Sequence, residues 1–147
     1  MSDDKKVAKD LVDTLRDGEK GFASASEKLQ DGDHPEWAAK LKQLSEQRAG
    51  FQSEIVALGH EYGDDVDEGG SAVAALHRGW ISLKDALTGD SAGTVLRAAV
   101  TGEDHTVSEY EKALGQDLSD GFRDVVSRQH EAVVAARAEV KALETVD

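Results

Sequence analysis

AAVTGEDHTVSEY, residues 98–110, decides the fold. Around it Leu96, Val100, Val107, Tyr110 and Leu114 recur at the spacing of one helix face, not at the alternation of a strand. The stretch is therefore the middle of an amphipathic helix. Glu103 stands in that apolar stripe, where an unpaired carboxylate would be heavily penalised. Its presence predicts polar neighbours arriving from other helices.

The same period, broken at glycine, aspartate and proline, predicts five helical segments at 4–29, 35–62, 71–88, 91–114 and 119–145. Asp33 with Pro35 and Glu36 reads as a capping box with proline in the first turn, and Gly63 as a stop. GDDVDEGG at 63–70 reads as an acidic, turn-rich loop; it lacks the ligand spacing and terminal glutamate of an EF-hand. Gly89 with Asp90, and Gly115 to Ser119, supply stop and cap chemistry at the later junctions.

The first, second, fourth and fifth segments are rods of about 36 to 42 Å. Short loops after the first and fourth predict two hairpins, joined by a crossover that holds the shorter third segment. The expected fold is all-α: an antiparallel four-helix bundle with an extra short helix in the crossover, one domain over residues 1–147.

The inward stripes take Val7, Leu11, Leu15, Phe22 and Leu29 from the first segment, and Trp37, Leu41, Leu44, Phe51, Ile55 and Leu58 from the second. The fifth contributes Phe122, Val125, Val126, Ala132, Val133, Ala136, Val140 and Leu143. Gly18 with Glu19, Arg48, Glu103 and Gln129 interrupt the four stripes near mid-helix. At a common height they would form one polar layer, in which the Arg48 guanidinium faces the carboxylates of Glu19 and Glu103, while Gln129 and Tyr110 satisfy the remaining donors and acceptors. Gly18, Gly21, Gly50 and Gly102, beside these residues and unfavourable in a helix, suggest close backbones or open space at that level.

Composition narrows the function classes. With 17 basic against 30 acidic residues among 147, the formal charge is −13, which opposes nucleic acid and anionic membranes as partners. The absence of cysteine removes disulfides, thiolate metal sites and cysteine nucleophiles. MSDDKKVAKD at the start has no apolar core, and no apolar run approaches the roughly 20 residues of a membrane span, so a cytoplasmic protein is expected. There is no glycine-rich phosphate loop and no nucleophile elbow.

DGEKGF at 17–22, SEQRAGF at 45–51, ALHRGW at 75–80, TGEDHTVSEYEKAL at 101–114 and SRQHEAV at 127–133 touch every segment. In their order they resemble the ferritin-like superfamily, and the whole chain is similar to a bacterial four-helix-bundle family of unknown function placed within it. That superfamily carries, in sequence, a Glu, a Glu-x-x-His, a Glu and a second Glu-x-x-His around a di-iron centre. The resemblance matches Glu19 and Glu103 to its two single carboxylates. It departs at the other two helices, where Arg48 with Phe51, and Gln129 with Ala132, stand in place of Glu-x-x-His.

Two functional readings follow. The first is a non-catalytic bundle acting by binding or assembly, with no cofactor, the layer of Glu19, Arg48, Glu103, Gln129 and Tyr110 fixing helix register; the resemblance adds a bacterial, stress-related setting. The second is an iron- or manganese-binding oxidoreductase or iron-handling protein using Glu19, Glu46, Glu103, His130 and Glu131, reachable if the fifth segment shifts by one residue and turns His130 inward. His77 and Trp80 form a candidate ligand or partner surface on the crossover, and a homodimer through that segment is a third arrangement.

Overall fold

A computed structural model of the chain describes residues 3–30, 32, 34–61 and 92–144. Four helices and no strand occur among these residues: α1 (Asp4–Leu29), α2 (Pro35–Glu61), α3 (Ala92–Leu114) and α4 (Asp120–Glu144). They lie within a residue of the expected bounds. The crossover segment at 71–88, the acidic loop, the stop and cap residues Gly63, Gly89 and Asp90, and the cap residue Asp33 fall outside the described residues.

The helices pack as a helical bundle because each carries a seam of buried residues at alternating steps of three and four. Phe122, Val126, Gln129, Val133, Ala136 and Val140 make that seam on α4, and Leu96, Ala99, Glu103, Thr106, Tyr110 and Ala113 make it on α3. On α1 the seam passes through Leu15, Gly18 and Phe22, and on α2 through Leu44 and Arg48. Phe51, Leu58, Val107, Leu114 and Leu143 are only partly buried and pack against the edges of the core.

The apolar core falls into two clusters. One gathers Phe22, Ala25 and Leu29 of α1, Trp37, Leu41 and Leu44 of α2, Leu96 and Val100 of α3, and Ala136 and Val140 of α4. The other gathers Val7, Leu11 and Leu15 of α1, Ile55 of α2, Tyr110 and Ala113 of α3, and Phe122, Val126 and Val133 of α4. Gly18, Arg48, Glu103 and Thr106 lie along their helices between the residues of the two clusters.

Two further features tie the helices together. Ser26 Oγ donates to the Ala38 carbonyl at 2.6 Å and Ser45 Oγ to the Glu19 carbonyl at 2.8 Å, stitching α1 to α2. At the other end the Asp4 carboxylate, almost fully buried, accepts from Ser119 N at 2.9 Å and Ser119 Oγ at 2.5 Å. A carboxylate borrowed from α1 thus satisfies donors at the start of α4 and complements its positive end. Gly115 closes α3 by donating to the carbonyls of Glu111 and Lys112.

Candidate functional site: a buried guanidinium–carboxylate pair

Arg48 and Glu103 are both 0% exposed. Arg48 Nη1 donates to Glu103 Oε1 at 2.5 Å and Nη2 to Oε2 at 2.7 Å, a two-pronged charge-assisted contact reaching from α2 to α3. Nε donates to Gln47 Oε1 at 2.9 Å. The ring of Phe22 on α1 lies 5.1 Å from the Arg48 Cζ, within cation–π range. The carboxylate in the stripe is therefore buried because a planar, permanent cation grips both of its oxygens.

Gly18 lies against the Arg48 side chain, at a distance where a Cβ would make ordinary van der Waals contact. A Cβ built there would stand 3.8 Å from both Cγ and Nη1 of Arg48, so the residue at this seam position borders the arginine stem. One residue past the seam, Glu19 is only half-buried and its Oε1 accepts from Gln52 Nε2 at 2.7 Å on the rim of the bundle. The structure joins Arg48 to one acid rather than to two.

Gln129, also 0% exposed, belongs to an adjoining network. Tyr110 Oη donates to its Oε1 at 2.6 Å, while its Nε2 donates to Glu54 Oε1 at 2.8 Å and to the Phe51 carbonyl at 3.5 Å. Glu54 is bridged in turn to the exposed Arg128. Glu54, Gln47 and Gln52 were missed in the sequence because each lies beside the α2 seam, where a long side chain can reach inward unannounced. Thr106 was missed because its hydroxyl satisfies itself locally, donating to the Gly102 carbonyl at 3.2 Å.

The metal-ligand candidates do not converge. Glu46 and Glu131 face solvent. The ring of His130 lies 6.5 Å from that of Tyr110, with Nε2 enclosed and without a hydrogen-bond partner among the described residues. Gln129, not His130, takes the seam of α4. Among the described residues no three His, Asp or Glu side chains are grouped to hold a metal ion. The donor set agrees: both oxygens of Glu103 are committed to a guanidinium, which would repel a divalent cation, so these residues do not fit a di-iron or di-manganese centre. His77 and Trp80 lie outside the described residues.

Burial raises the pKa of the Tyr110 phenol far above its ordinary value; Arg48 opposes the shift and Glu103 and Glu54 add to it. Because the folded pKa is raised, the contribution to stability is complete below the unfolded value near 10 and declines above it, by up to about 1.4 kcal/mol per pH unit as the unfolded chain alone loses the proton. Tyr110→Phe removes that slope. At pH 8 the variant should be less stable by about 1–3 kcal/mol, because Gln129 Oε1 loses its buried donor. Urea titrations between about pH 9 and 11.5 should show the two proteins converging; parallel curves would contradict the assignment.

Gly50 marks neither a close backbone contact nor a space within the buried layer. It is exposed, and a Cβ there would have no neighbour within 4 Å. Gly50→Ala is expected to stabilise the fold by about 0.5–1 kcal/mol through helix propensity alone, read as a higher denaturant midpoint with unchanged slope.

Among the described residues no helix is long and apolar enough to cross a membrane. The family described as Domain of unknown function (DUF2383) matches the chain over residues 5–116, a span that contains Arg48, Glu103 and Tyr110 and stops before α4. No curated protein matches the chain.

Proposed function

The chain belongs to the family described as Domain of unknown function (DUF2383), and we propose that it is a non-catalytic, ferritin-like bundle acting by binding or assembly. In this reading it works in a bacterial cytoplasm in a stress-related setting, and the Arg48–Glu103 pair replaces a di-iron centre electrostatically. The observation that carries it is the guanidinium, fully buried and gripping both oxygens of the carboxylate that the resemblance matches to a metal ligand.

The distribution of residues between the two apolar clusters supports a ferritin-like order. α1 and α4 each run from the cluster of Leu11 and Phe122 towards that of Phe22 and Val140, whereas α2 and α3 run the opposite way. Helices α1 and α2 are then antiparallel, as are α3 and α4, and the end of α2 and the start of α3 lie towards opposite clusters. That is the two-hairpin, long-crossover arrangement.

With both oxygens of Glu103 gripped by a permanent cation, a divalent ion would meet electrostatic repulsion at the waist, which favours structure over catalysis at this layer. Elemental analysis of protein purified without chelator, followed by ferrous titration with oxygen uptake, tests the proposal. Less than about a tenth of an equivalent of tightly held metal is expected. Stoichiometric iron or manganese, or oxygen consumption on adding ferrous ion, would overturn it in favour of the oxidoreductase reading. Sedimentation at several concentrations separates an assembling protein, which would change apparent mass, from a monomer.

A further inference from the structure

We draw no further inference here: the strongest candidate, the open groove between α1 and α2 lined in part by Val12, Val56, Arg16, Glu19 and Gln52, has nothing in the structure to show what covers it.

Discussion

Arg48→Leu is expected to lower the unfolding free energy by about 3–5 kcal/mol, enough to remove much of the stability of an ordinary domain. The arginine makes no contact with solvent, and its two terminal nitrogens account for both oxygens of Glu103. Truncation leaves a carboxylate enclosed between two apolar clusters with its charge uncompensated. Removing both partners has a different outcome. In Arg48→Met with Glu103→Leu no charge remains to desolvate, and volume is roughly kept, so the double variant should recover to within about 1–2 kcal/mol of the parent or exceed it. Equilibrium urea unfolding of the parent, Arg48→Met, Glu103→Leu and the double variant gives the coupling directly. Near-additive losses would mean that the pair is solvated, contrary to the structure.

The same cycle bears on why the pair exists. Replacing a buried ion pair by hydrophobic residues is often neutral or stabilising, so stability alone does not explain its retention. A polar pair that can be satisfied in one arrangement penalises every register in which the helices slide by a turn. If the layer fixes register, the double variant should keep its helical content yet broaden its side-chain NMR spectrum, since several packings would become nearly equal in energy.

Much of this arrangement is legible in the sequence, and the boundary of legibility has a physical cause. Helix positions and most of the core follow from periodicity, because a seam residue cannot be exchanged for its neighbour without turning it by about 100°. That rule exposes Arg48, Glu103 and Gln129 as interruptions, and the structure buries all three. It is weakest where two adjacent residues share a gap. Gly18 and Glu19 offer the α1 seam either a void or a charge; in the structure Gly18 borders the Arg48 stem while Glu19 turns to Gln52. Partner choice is less legible still. Gln129 answers to Tyr110 and Glu54, and Gln47 to Arg48, because side-chain reach across a bundle depends on inter-axial distance and rotamer, which spacing does not encode.

Phe22 carries the second large effect. It is 0% exposed, it belongs to the cluster of Trp37 and Leu41, and its ring stands over the Arg48 guanidinium. Phe22→Ala should cost about 3–5 kcal/mol, as expected for deletion of a buried aromatic ring that leaves a cavity. Two contributions are mixed in that loss: packing, and attraction between the ring face and the cation. Phe22→Leu separates them, since it keeps most of the apolar volume and removes the π-system; it should lose about 1–2 kcal/mol. In the Arg48→Met, Glu103→Leu background the cation is gone, and the penalty of Phe22→Leu should shrink by about 0.5–2 kcal/mol, the coupling expected of a desolvated cation–π contact. A penalty equal in both backgrounds would leave Phe22 as packing alone, with Arg48 held by Glu103 and Gln47 without help from the ring.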